Sequence, residues 1–304
     1  MAEPPLPPPL PPGRVVNVPG RGEMFVRESE GDAPEPAGSG GRAEPGPTIL
    51  LLHGWTASAD TNWFTIYATA AQFGPVLAVD HRGHGRGIRS EERFTLEAAA
   101  DDAAALVDHL GRGPVIAVGY SMGGPIASLL WLRHPHLVAG LVLEATALEW
   151  RASWRERLVW RFLALMEIAL RLGPHDGFVE RWLRDAVEKS PELVPWRGWL
   201  KGEIRRGDAG AIADAGRALS RYDARPFAGR IDVPTTVVIT TQDRLVRPRK
   251  QRALAKAIPG AFVVSINADH DAPVVRPHLL QMGTAQALRS VLDRLPTVTL
   301  PSVT

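Results

Sequence analysis

The 304-residue sequence contains no cysteine. That excludes disulfide staples, a cysteine nucleophile, thiolate zinc sites and iron–sulfur clusters. Net charge is nearly missing as well: 35 Lys and Arg against 33 Asp and Glu leave +2. Without a net field to hold a polyanion, nucleic-acid binding is not expected. Uninterrupted apolar runs stop short of the ~18 residues a membrane-spanning helix needs, so no transmembrane segment is expected. No Lys or Arg precedes an apolar run near the N-terminus, so no secretory signal is expected, and a cytoplasmic location follows as the expectation. Neither a P-loop nor a G-x-G-x-x-G stands at a first strand turn, which argues against a nucleotide. The pairs His81/His84 and His134/His136 have loose ligand-like spacing, but no carboxylate or Cys framework accompanies them. No metal and no cofactor are therefore expected.

What is present is an ordinary soluble composition, 45% hydrophobic and 22% charged, enough to bury a sizeable core. The length falls between one domain and two. Twelve of the 27 prolines precede Thr48, and seven lie in the first twelve residues. Such a run favours polyproline II, so residues 1–13 read as a disordered tail. Val15–Val18 and Met24–Arg27 flank the turn-rich Pro19-Gly20-Arg21-Gly22 and read as a hairpin. Residues 30–47 read as a loop. Then short apolar runs alternate with helical patterns. Thr48–Leu52, Val76–Val79, Val115–Val118, Leu141–Leu143, Val237–Ile239 and Phe262–Ile266 read as buried strands of a parallel sheet. Thr61–Gln72, Thr95–Leu110, Met122–Arg133, Pro248–Ile258 and Val275–Leu292 read as the helices between them. The fold class is α/β, a doubly wound and mostly parallel sheet.

The alternation breaks between residues 148 and 231. That stretch lacks a convincing strand and holds Trp150, Trp154, Trp160, Trp182, Trp196 and Trp199, six of the nine tryptophans. It reads as a helical cap inserted into a core formed by residues 14–147 and 232–304. In Arg157–Leu172 the polar positions form one narrow stripe, as in a helix packed on two sides. An apolar surface of this kind would also suit a greasy substrate channel or peripheral contact with a membrane.

Chemistry concentrates in Gly119-Tyr120-Ser121-Met122-Gly123, which follows the strand Val115–Val118 and opens a helical pattern. A G-x-S-x-G at such a turn holds its serine in a strained conformation with the hydroxyl raised from the sheet, and glycines relieve the crowding. The helix start behind it aims the Met122 N–H toward developing negative charge. The strand Thr48–Leu52 runs into His53-Gly54-Trp55. Asp243 and His270 each stand at the C-terminal tip of a late strand, where open α/β sheets bind ligands.

Together with Asp80-His81-Arg82-Gly83-His84-Gly85 and Gly124, these motifs resemble the α/β-hydrolase superfamily over most of the chain, from the first hairpin to the last helix. The resemblance implies Ser121 as nucleophile, His270 as its base and Asp243 as the acid that orients it. Glu144, which ends another strand, is the alternative acid. The resemblance further implies that the Trp55 and Met122 N–H groups form the oxyanion hole, and that Asp80, Arg82 and His84 hold loops by hydrogen bonds. One departure is Asp269, where relatives often carry Gly before the histidine. The implied function is a serine hydrolase cleaving a carboxylic ester, lipophilic if the Trp-rich cap lines the pocket, as in monoacylglycerol hydrolases or carboxylesterases. Its partner is then a small-molecule ester. Other reactions of a serine triad stay open: C–C bond hydrolysis, amide hydrolysis and acyl transfer. So does a non-catalytic small-molecule receptor on the same fold.

Overall fold

The computed structural model describes residues 6–31, 46–151 and 176–296. Eight strands form one sheet: β1 (Gly13–Val18), β2 (Gly22–Ser29), β3 (Ile49–Leu52), β4 (Val76–Val79), β5 (Val115–Tyr120), β6 (Val138–Glu144), β7 (Thr235–Thr240) and β8 (Phe262–Ile266). Their spatial order is β1-β2-β4-β3-β5-β6-β7-β8. The first two strands form the expected hairpin, β2 also pairs antiparallel with β4, and the remaining pairings from β4 to β8 are parallel. All positions of β3, β4, β5 and β7 are buried, which is why these runs are apolar throughout rather than alternating. Each of Leu50, Leu51 and Leu52 is wholly removed from water, worth about 2 kcal/mol per side chain.

The described helices are α1 (Ala59–Trp63), α2 (Tyr67–Ala71), α3 (Leu96–His109), α4 (Gly123–Arg133), α5 (Asp176–Lys189), α6 (Arg197–Ile204), α7 (Ala209–Arg221), α8 (Pro248–Ala257), α9 (Ala272–Val275) and α10 (Pro277–Leu292). They cover both faces of the sheet. Residues of α3, α4 and α8 share one apolar cluster, and residues of α1, α2 and α10 share the other.

Two expected helices are each divided in two. The 61–72 pattern becomes α1 and α2, because Thr61 closes a capping box with Ser58 and Phe64 turns away toward Trp196 and Trp199. The 275–292 pattern becomes α9 and α10 with Pro277 at the first turn of α10, where its missing N–H does no harm.

The expected tail behaves differently over its last residues. Leu10 packs on the apolar core, and the carbonyls of Pro11 and Pro12 accept hydrogen bonds from Arg27 and Glu28. Residues 10–12 thus lie against the core instead of forming part of a disordered tail, while Leu6 is exposed. The inserted segment is helical where described, with α5, α6 and α7 and one isolated bridge between Glu149 and Asp223. The helix expected over Arg157–Leu172 lies outside the described residues.

Candidate active site

Strand register brings the chemistry-bearing residues to one end of the sheet. Leu52 of β3 stands beside Gly119 of β5. The turn His53-Gly54-Trp55 therefore emerges next to Ser121, and a Cβ on Gly54 would lie 3.4 Å from Ser121 Cβ. Thr240 of β7 pairs with Ile266 of β8, so the loops carrying Asp243 and His270 leave the sheet side by side. The chain turns one way from β3 to β4 and the other way to β5, which opens a crevice at the strand tips.

The turn after β5 is strained as the motif requires. Ser121 has φ +52°, a left-handed conformation unusual for any residue but glycine. Its N–H donates to the Glu144 carbonyl at 2.8 Å, which holds the turn in place. The flanking glycines are sterically demanded. A Cβ on Gly119 would sit 2.3 Å from the Gly123 carbonyl oxygen, one on Gly123 would sit 2.0 Å from the Leu52 carbonyl oxygen, and one on Gly124 would meet Thr146 at 2.5 Å.

Ser121 Oγ lies 3.0 Å from His270 Nε2, and His270 Nδ1 lies 2.8 Å from Asp243 Oδ2. An acceptor on the Nδ1 side fixes that nitrogen as the donor, leaving Nε2 as the acceptor for the serine hydroxyl. The Asp243 carboxylate is buried and also accepts from Thr240 Oγ1, Gln251 Nε2 and the N–H groups of Leu245 and Val246. Such a set of donors leaves the carboxylate one orientation. The His270 loop is fixed by Tyr120, whose hydroxyl donates to the His270 carbonyl, and by Asp269, which accepts from the His270 and Arg244 N–H groups. Asp269 thus holds this turn by hydrogen bonds.

Glu144 does not join this group. Its side chain is fully buried, Oε1 accepts from Thr284 of α10, and Oε2 has no hydrogen-bond partner. Burial pushes its carboxyl up to about 8, so it is neutral at pH 7.

The loop after β3 is held just as firmly. The Gly54 N–H donates to Asn62 Oδ1 at 2.9 Å. His53 Nδ1 donates to the Gly54 carbonyl, and His53 Nε2 accepts from the His81 N–H. This pairing suits only the neutral ring. His53, His81 and His84 lie together, with ring centroids of His53 at 4.2 and 5.5 Å from the other two. Burial lowers all three, aided by the neighbouring histidines for His53 and His81 and by Arg89 for His84: His53 well below its usual value, His81 to about 3 and His84 to about 4. Asp80 accepts from the N–H groups of Ala59 and Arg86, and Arg82 forms a two-pronged pair with Asp102. Met122 follows Ser121 at the start of α4, and Trp55 follows Gly54 on this loop.

Asn62, Tyr120 and Gln251 were not among the expected site residues. Asn62 and Gln251 lie within helical patterns, and only register shows that they face the strand tips. Tyr120 stood in view inside the serine motif. Among the described residues no group of His, Asp and Glu is arranged to hold a metal ion, and no described helix is long and apolar enough to cross a membrane.

A family model described as alpha/beta hydrolase fold matches residues 47–277. The chain belongs to the alpha/beta-hydrolase fold family. It is 30% identical over 228 residues to a pimeloyl-(acyl-carrier protein) methyl ester esterase of Neisseria meningitidis, covering 74% of this chain and 86% of that protein. It is 27% identical over 221 residues to 3-oxoadipate enol-lactonase 2 of Acinetobacter baylyi, covering 72% and 79%. Among solved structures, the enol-lactonase from Burkholderia xenovorans LB400 superposes with a TM-score of 0.74 at 24% identity, over 91% of this chain and all of that one. The similarity is thus to an esterase-type enzyme, and the last comparison speaks for the fold alone.

Proposed function

We propose that this chain is a serine hydrolase that cleaves carboxylic esters through an acyl-enzyme on Ser121. The observation that carries the reading is the relay from Ser121 through His270 to Asp243, at 3.0 and 2.8 Å, built on a serine with φ +52°. Ser121 Oγ attacks the ester carbonyl carbon and passes its proton to His270 Nε2. Asp243 holds the ring in the required tautomer and stabilises its cation. The oxyanion forms against the N–H groups of Trp55 and Met122. The C–O bond to the alcohol breaks as His270 returns the proton to the leaving oxygen. Water, deprotonated by His270, then releases the acid and regenerates the serine.

For the substrate we propose an ester with an apolar acyl part and a small alcohol. The small alcohol is supported by the methyl ester in the name of the meningococcal relative. The apolar acyl part is supported by the tryptophans of the inserted segment, six of the chain's nine. Most described cap tryptophans have another use, however. Trp150 joins the core, while Trp196 and Trp199 pack on Phe64. The acyl preference therefore rests on the tryptophan content of the segment alone, and long-chain monoacylglycerols are its extreme case. The lactonase relative makes an enol-lactone the second substrate type to test.

A fluorophosphonate probe should label the wild type and not Ser121→Ala, and absence of wild-type labelling would overturn the reading. Chromogenic esters of rising acyl length, methyl esters, lactones and amides then rank the substrate. Hydrolysis of amides in preference to every ester would move the proposal to an amidase.

A further inference from the structure

Trp55 carries two jobs at opposite ends of one residue. Its backbone sits in the loop beside Ser121, and its indole reaches across to the inserted segment. Indole Nε1–H donates to the Ile212 carbonyl of α7 at 2.7 Å. The ring lies flat enough on that helix that a Cβ on Gly216 would stand 2.5 Å from Cζ2 and 3.0 Å from Cε2. Gly216 and Ala215 are buried beneath it. The start of α7 is clasped to a second core loop: the Asp208 N–H donates to the Gly83 carbonyl, and a Cβ on Gly83 would meet Ala211 Cβ at 2.1 Å. On the other side of Trp55 the chain has little freedom. Gly54 is pinned by Asn62 and His53, and Thr56 is held at φ +64°. A shift of α7 that drags the indole therefore pulls on the short backbone between Gly54 and Thr56, which carries the Trp55 N–H.

We propose that the Trp55 indole is a positioning side chain that couples the cap to the oxyanion hole. With α7 seated, the Trp55 N–H points at the place where the oxyanion forms; with α7 displaced, the donor turns away. The site then reaches full power only under a closed cap. This rests on the ester-hydrolase reading for the role of the Trp55 N–H.

The test is a two-by-two set. Trp55→Phe removes the bond to Ile212 and the benzo ring over Gly216, while keeping an aromatic side chain. Gly216→Ala leaves Trp55 intact and wedges it away. Each should lower kcat on a good chromogenic ester by about 10-fold or more, short of the ~10²-fold or greater loss of a whole oxyanion donor. KM should move less than kcat. Because Trp55→Phe vacates the space that the new methyl group needs, Gly216→Ala should add little in the Trp55→Phe background. Amide hydrogen exchange of α7 and of residues 54–57 should rise together in both single variants. Unchanged kcat in Trp55→Phe, additive losses in the double variant, or faster exchange in α7 without residues 54–57 would each overturn the coupling. If wild type neither takes the fluorophosphonate nor cleaves an ester, the functional reading falls, and the loop–cap coupling is decided by the exchange data alone.

Discussion

The two acids near Ser121 differ in their hydrogen-bond partners, and that difference sets their expected responses. Asp243 accepts five hydrogen bonds, one of them from His270. Asp243→Asn presents an amide that can donate to His270 Nδ1. It thereby selects the tautomer whose Nε2 carries a proton and cannot receive one from Ser121. A loss in kcat on the order of 10³- to 10⁴-fold is expected from pre-steady-state or steady-state ester hydrolysis. Glu144 is already neutral at pH 7 because burial raises its carboxyl to about 8. Glu144→Gln replaces a neutral acid by a neutral amide of the same shape, so kcat should stay within about 3-fold of wild type, since neutral isosteric swaps leave few new unpaired groups. A collapse of activity in Glu144→Gln with Asp243→Asn unharmed would reverse the assignment of the acid. At this scale the sequence was informative where chemistry is attached to a motif or a strand tip, as with Ser121, Asp243 and His270. It was silent where a partner is brought in by three-dimensional register. Gln251 reaches the Asp243 carboxylate from α8, and Asn62 reaches Gly54 from α1. Neither has a sequence mark that separates it from any other polar helix residue.

At the scale of elements, the strands were found because central burial on both faces leaves an unbroken apolar run, but Leu141–Leu143 and Val237–Ile239 proved to be the cores of the longer Val138–Glu144 and Thr235–Thr240. Val76–Val79 and Phe262–Ile266 came out with the expected bounds. Helix limits were read less well. Apolar periodicity alone carried 275–292 through Pro277, although a proline there must begin a helix. The glycines show how context decides an element's tolerance. Gly123 opens α4 against the carbonyl of Leu52, so Gly123→Ala forces backbone against backbone. A loss of several kcal/mol, beyond the ~1–3 typical of overpacking a deformable core, is expected in chemical denaturation, together with loss of probe labelling. Gly202, inside α6, faces open space, and a Cβ there meets nothing within 4 Å. Gly202→Ala should therefore stabilise the protein by about 0.5–1 kcal/mol through helix propensity and a less disordered unfolded chain. A fall in Tm for Gly202→Ala would contradict that placement.

For the molecule as a whole, the sequence announced one sheet with a helical insertion, but not how the insertion is fastened. The fastenings are polar and come from distant positions. Arg86 joins Asp60 of the core to Glu203 of α6, Trp55 joins Ile212, and Lys189 joins Asp271 beside His270. No local pattern marks such pairs. Beneath them lies the buried group of His53, His81 and His84, which gives the whole fold a pH signature. Folded-state values are lowered, to about 3 for His81 and about 4 for His84. The unfolded chain therefore binds more protons than the folded one below the ordinary histidine value of about 6.5. Stability from these rings is complete above that pH and is lost as pH falls toward 4. For His84 the loss amounts to roughly 3 kcal/mol by pH 4, because each unit of pKa difference is worth about 1.4 kcal/mol. The first region to yield should be the loop after β3, since a protonated His53 Nε2 can no longer accept from the His81 N–H. The measurement is the denaturation midpoint followed from pH 7 to pH 4 in wild type and in His84→Phe. The variant loses a bond to the Arg82 carbonyl at every pH, so the comparison is between slopes. A shallower acid slope in His84→Phe is expected, and parallel slopes would show that His84 is already charged or exposed in the folded protein. The opposite limb belongs to Glu144. Its raised carboxyl favours the fold at low pH and withdraws that support as pH climbs from about 4.5 through about 8. Glu144→Gln should flatten this alkaline decline without touching the acid one, so the two variants together would assign each side of the stability curve to a separate buried group.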